Sequence, residues 1–98
     1  MWWEECKGIE AKIIAMRRDL HKIPELGFHL PKTRDYVTHQ LEEIGIPYQL
    51  SEKDSSIIAT LRGKQPGKVL ALRADMDALP ITEDTKLPFC SEHKGCMH

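Results

Sequence analysis

Val69-Leu-Ala-Leu72 is a nearly continuous apolar run, preceded by a Pro66-Gly67 turn and leading through Arg73 and Ala74 to two carboxylates, Asp75 and Asp77. An unbroken apolar run bounded by turn residues has the pattern of a strand covered on both faces, so the chain needs a fold that can bury both sides of it. Period-2 geometry then carries Asp75 and Asp77 to the same side. Two like charges on one side repel, so such a pair is expected where a cation, a histidine or a basic group sits beside them. Asp75 and Asp77 are the candidate catalytic residues. The competing reading is turn chemistry ahead of Ala78-Leu79-Pro80.

The other elements follow from periodicity. Ile9, Ile13, Met16 and Leu20 recur at helical spacing between charges and predict an amphipathic helix over 4–22 packed on a core, with Gly8 a mild weakness. It should stop before Ile23-Pro24, because a residue preceding proline is pushed out of the α region. Pro31 at a first turn, then Tyr36, Val37, Leu41 and Ile44 with Gly45 behind them, predict a second helix over 31–44. A short strand is expected at 48–50, a better one at 56–62 and a third at 68–74. Pro80, Pro88 and Gly95 break up the remainder into a long loop. The pattern is α/β: a partial layered sheet with two helices packed on it, treated as one unit over 1–98.

Charge is nearly balanced, with 14 Lys and Arg against 15 Asp and Glu, which gives neither the basic footprint of a nucleic-acid binder nor an acidic tail. No apolar run approaches the roughly 20 residues of a membrane span, and Met1-Trp-Trp-Glu-Glu5 lacks the build of a signal peptide, so a cytoplasmic chain is expected. Cys6, Cys90 and Cys96 are odd in number and form no Cys-x-x-Cys pair, which argues for reduced thiols. His93, Cys96 and His98 lie close enough in sequence for weak, adventitious zinc binding at most. His21 falls at the end of the first helix, where a basic group interacts favourably with the terminus. His29 and His39 are expected to face solvent, Cys90 to pack in the loop, and Trp2 and Trp3 either to pack under the first helix or to lie exposed.

Three stretches, Arg17-Arg-Asp-Leu-His-Lys-Ile-Pro-Glu-Leu-Gly-Phe28, Leu72-Arg-Ala-Asp-Met-Asp-Ala-Leu-Pro-Ile81 and Pro88-Phe89 leading to Gly95-Cys-Met-His98, occur together in this order. The combination resembles the amidohydrolase branch of the zinc-dependent aminoacylase and carboxypeptidase superfamily, which includes hippurate hydrolases, N-acyl-amino-acid amidohydrolases and auxin-conjugate hydrolases. The resemblance implies part of a metallopeptidase-like catalytic domain that hydrolyses the amide of a small N-acyl-amino acid with a divalent metal, zinc, manganese or cobalt, whose bound water attacks the carbonyl. It also implies that Met97-His98 would be followed by Ala-Cys-Gly-His-Asp, the cysteine and second histidine of which bind metal. The chain would then be the amino-terminal part of a longer enzyme, with no metal ligands of its own, no cofactor expected and no activity alone. In related peptidases a metal-binding histidine occupies the place of Asp75, and the position of Asp77 orients it, which favours a supporting role for Asp77. A second reading is a non-catalytic module that acts only by associating with its remainder, since an uncovered sheet edge favours pairing.

Overall fold

A computed structural model describes residues 2–98, and its regular structure lies entirely in the first sixty positions. Helix α1 spans Trp2–Gly8 and α2 spans Glu10–Lys22. The single helix expected over 4–22 is therefore interrupted at Ile9, whose φ of −107° and ψ of 5° leave the helical well. Its amide bonds to the Cys6 carbonyl at 3.2 Å, a tightened turn placed directly after the weak helix former Gly8. The apolar stripe is also less covered than its spacing predicts: Ile9 and Ile13 are more than half exposed, while Met16 and Leu20 are partly buried. Nothing among the described residues packs over the amino-terminal end of the stripe, and Trp2 and Trp3 lie exposed beside it.

Helix α3, Pro31–Ile44, occupies the predicted span. Pro31 enters its first turn, where a missing N–H costs nothing, and Gly45 ends it in the left-handed conformation at φ 86°. The Gly45 and Ile46 amides both turn back to the Leu41 carbonyl, at 2.9 and 3.0 Å. Tyr36 ties α3 to α2 by donating its hydroxyl to Asp19 at 2.8 Å, and partial burial together with that carboxylate pushes the phenol up to about 12.

Strands β1 (Tyr48–Leu50) and β2 (Ile57–Ala59) form an antiparallel ribbon in which Gln49 faces Ile58. The connection is shaped by Asp54, whose carboxylate accepts the Ser56 amide at 2.9 Å. The strand expected over 56–62 is thus shorter than its apolar run. Among the described residues the strand expected over 68–74 does not form, and the partial layered sheet is reduced to this two-stranded ribbon. A strand exists only through its ladder, and among the described residues no neighbour pairs with this run, so Val69, Leu70 and Leu72 lie bare. Among the described residues no helix packs extensively on the ribbon; Tyr48 of β1 donates its hydroxyl to Glu42 of α3 at 2.6 Å, and Ile58 is two-thirds exposed.

The buried centre lies elsewhere. Leu30, Ala78 and Cys96 meet Pro24, Thr33, Ser55 and His21 where the α2–α3 connection, the start of α3 and the carboxyl-terminal loop converge. That loop, 80–98, has no helix or strand, as its prolines and glycine predict, and is pinned by an antiparallel bridge between Leu79 and Met97. No helix among the described residues is long and apolar enough to cross a membrane.

Candidate functional site

Glu25 is the first organiser of the site. Its carboxylate accepts the Thr33 amide at 2.7 Å, the Thr33 hydroxyl at 2.9 Å and the Lys32 amide at 3.2 Å, so it caps the N-terminus of α3 from outside the helix. A carboxylate is favoured there because unpaired N–H groups and the helix dipole both present positive charge. The Glu25 carbonyl also accepts the Ala78 amide at 2.7 Å. One residue therefore fixes both the start of α3 and the segment immediately after the two aspartates.

Asp75 and Asp77 line a common cleft of about 500 Å³, walled by Phe28, Ser55, Ile57 and Leu72. Both are exposed, and they leave an irregular segment rather than the end of a strand. A cationic neighbour, as like charges require, is supplied to Asp75 by Arg73, 2.8 Å away in an exposed pair. Asp75 also walls a second, smaller pocket of about 250 Å³ with Arg17, His21, Met76 and His98, which Asp77 does not reach.

His21 is the residue that its helix-end position least prepares one for. It is almost fully buried, and its Nε2 lies 2.8 Å from Glu83 in a pair whose two side chains are each only 4 % exposed. The Glu83 carboxyl is held down at about 2, first by the Thr85 hydroxyl, then by the Ser91 N–H at 2.7 Å and by His21 itself. A carboxylate therefore faces Nε2, which must carry the proton, while Nδ1 is buried without a partner. The His21 ring meets Phe89 edge-on and stands 6.4 Å from the His98 ring. The Arg17–Phe28 stretch that carries part of the resemblance contains His21; nothing in the sequence marks Glu83 as its partner.

His93, Cys96 and His98 face three directions. His93 Nε2 meets Lys32 Nζ at 3.0 Å, Cys96 points its buried thiol at the Pro24 carbonyl, and His98 lies against the His21 pocket. Among the described residues no three His, Cys, Asp or Glu side chains converge to hold a metal ion. Among the described residues Asp75 and Asp77 likewise have no histidine or cysteine joined with them in such a group, so they form no metal centre by themselves.

The chain as a whole is similar to known proteins. No protein-family profile matches the chain. It is 47 % identical over 88 residues to N-acetyldiaminopimelate deacetylase of Bacillus subtilis, and 43 % identical over 90 residues to N-acyl-L-amino acid amidohydrolase of Geobacillus stearothermophilus. These matches cover 89 % and 92 % of this chain but 24 % of each relative, so the chain spans about a quarter of their length. A crystal structure of a Bacillus subtilis protein described as a dinuclear metal-binding peptidase of the M20 family superimposes with a TM-score of 0.85 at 43 % identity. That superposition covers 94 % of this chain and 26 % of the other. The resemblance carried by the three sequence stretches therefore holds: the chain's homologues are N-acyl-amino-acid amidohydrolases and deacetylases, and its structural neighbours include an M20 peptidase.

Proposed function

We propose that these residues supply the amino-terminal portion of the catalytic α/β domain of a cytoplasmic, metal-dependent amidohydrolase that cleaves the amide of small N-acyl-amino acids, and that alone they neither hold a catalytic metal tightly nor turn over substrate. The observation that carries this reading is identity of more than 40 % to deacylating enzymes over nine-tenths of the chain, with about a quarter of each enzyme matched. In this reading Asp77 supports a metal shell built by other residues, Asp75 lines the same cleft, and zinc, manganese or cobalt serves the complete enzyme. The bare Val69–Leu72 run favours association with the remaining part of such a domain, because so much clustered apolar surface is rarely left in water.

Two measurements test it. The chain is purified, mildly chelated and assayed for metal by mass spectrometry and for hippurate hydrolysis with added zinc, manganese or cobalt. Neither retained metal nor turnover is expected; stoichiometric metal together with turnover overturns the proposal. The chain is then co-expressed with the part of the Bacillus subtilis deacetylase that follows the matched segment. Hydrolysis of N-acetyl-amino acids that requires both pieces and falls with Asp77→Asn supports the assignment, and a soluble, inactive complex counts against it.

A further inference from the structure

We infer that His21 and Glu83 form a positioning pair that fixes where the chain delivers its Ser91–His98 segment against Asp75. The inference rests on the amidohydrolase reading for its functional meaning, but its geometry stands independently. The pair joins the last turn of α2 to a loop with no ladder of its own, and both side chains are withdrawn from water. Two buried polar groups 2.8 Å apart hold each other to one arrangement, since separating them leaves each without a partner.

From Glu83 the constraint passes along the loop. The carboxylate that takes the His21 Nε2–H also takes the Ser91 amide at 2.7 Å. The Ser91 hydroxyl lies 2.7 Å from the Cys96 carbonyl and 2.9 Å from that of His93, closing the 91–96 turn on itself. Cys96 is buried against Pro24, the Glu92 amide reaches the Lys22 carbonyl at 3.0 Å, and Met97 exchanges two backbone bonds with Leu79 at 2.7 and 3.0 Å. The segment thereby ends with His98 on the wall of the pocket that His21 and Asp75 share. His21 touches neither aspartate in a hydrogen bond. It acts through Glu83 and Ser91, on the placement of the chain that faces Asp75.

The test uses the whole 98-residue chain and needs no turnover, so failure of the enzymatic reading and failure of this one are distinguishable. Amide hydrogen exchange is read at Ser91 and Met97, with Gly45 and Ile46 at the end of α3 as internal reference. In His21→Asn the shorter side chain cannot reach Glu83, and exchange at Ser91 and Met97 is expected to rise about tenfold or more with the α3 amides unchanged. In His21→Gln the amide nitrogen falls near the place of Nε2 and restores the donor, so protection is expected to return. Nitrogen-15 spectra of the wild-type ring should show a proton on Nε2 that is slow to exchange. Three results overturn the inference: equal exchange in all three proteins, acceleration of the α3 amides in step with the loop, or a ring that carries no proton on Nε2.

Discussion

Two irregular segments flank Asp75 and Asp77, and they are held in opposite ways. Upstream, Val69, Leu70 and Leu72 are 95, 83 and 90 % exposed, and among the described residues no backbone hydrogen bond links residues 61–77 to the rest of the chain. Downstream, residues 78–97 have hardly more regular structure, yet Ala78, Leu79, Ser91, Glu92 and Met97 each give their amide to a defined acceptor, and Cys96 is buried. The contrast shows what orders a segment that lies outside a sheet or helix. Apolar side chains alone supply a non-directional drive that stays unspent until a surface arrives to cover them. Buried polar groups specify a single partner each, and a few of them suffice to place a loop.

The largest expected effect comes from removing the group that anchors the ordered side. Glu25→Ala leaves the Thr33 amide and hydroxyl, both in a residue only 2 % exposed, without their acceptor and deprives α3 of its cap. A loss of about 2–3 kcal/mol is expected from a charge-assisted cap with two buried donors. Glu25→Gln, which keeps one acceptor oxygen, should lose about half as much. Urea unfolding followed by circular dichroism measures both, and equal costs for the two variants would show that the single neutral acceptor kept by Gln contributes nothing measurable. Next in size is Ser55→Ala. The Ser55 hydroxyl, 5 % exposed as a residue, accepts the buried Leu30 amide at 2.6 Å, and its removal is expected to cost about 1–2 kcal/mol by the same measurement.

How much of this was legible in the sequence divides along the same line. Local signals located α3 to the residue, because Pro31 and Gly45 act through their own backbone geometry. Local signals also predict the short strand at 48–50, a strand at 56–62 longer than the one that forms, and, through Pro80, Pro88 and Gly95, the irregular character of the carboxyl-terminal loop. The apolar run over 68–74 predicts a strand that does not form, since such a run states that burial is needed and cannot state that a partner strand is within reach. The spacing predicts one helix over 4–22 across Ile9 because the cost of Gly8 and one tightened turn is small against the periodicity of the whole window. In the site, Asp75 and Asp77 line one cleft, but the strand whose period predicts a common side does not form there, so their spacing alone does not account for it. The His21–Glu83 pair was invisible because 62 positions separate its members and nothing local distinguishes Glu83 from the acidic residues around it.

A third, smaller effect is confined to acid. The Glu83 carboxyl sits at about 2 in the folded chain against an ordinary 4.5, so the folded state binds its proton less readily than the unfolded one. Stability from this group is complete above the unfolded value and is lost as pH falls from about 5 towards 2. The urea midpoint of the wild type should therefore decline through that window, and the decline should be shallower in Glu83→Gln, which has no proton to take up there. Parallel curves for the two proteins would mean that other carboxylates dominate and that Glu83 is no more tightly held than they are.

The smallest effect on stability is expected on the unheld side, and it sharpens the contrast most directly. Val69→Thr and Leu72→Thr change side chains that are already almost wholly in water, so no burial is forfeited and no cavity is opened. Unfolding free energy should move by no more than about 0.5 kcal/mol in either direction. Self-association should respond instead, because Val69, Leu70 and Leu72, with Leu61 at 80 % exposure nearby in sequence, present apolar groups beside backbone amides that lack partners. Sedimentation velocity over a concentration series is expected to show larger species in the wild type that diminish in the double variant, with the monomer's circular dichroism unchanged. A stability loss above about 1 kcal/mol would mean that these side chains are buried in solution after all. The two segments would then differ in what covers them rather than in whether they are held.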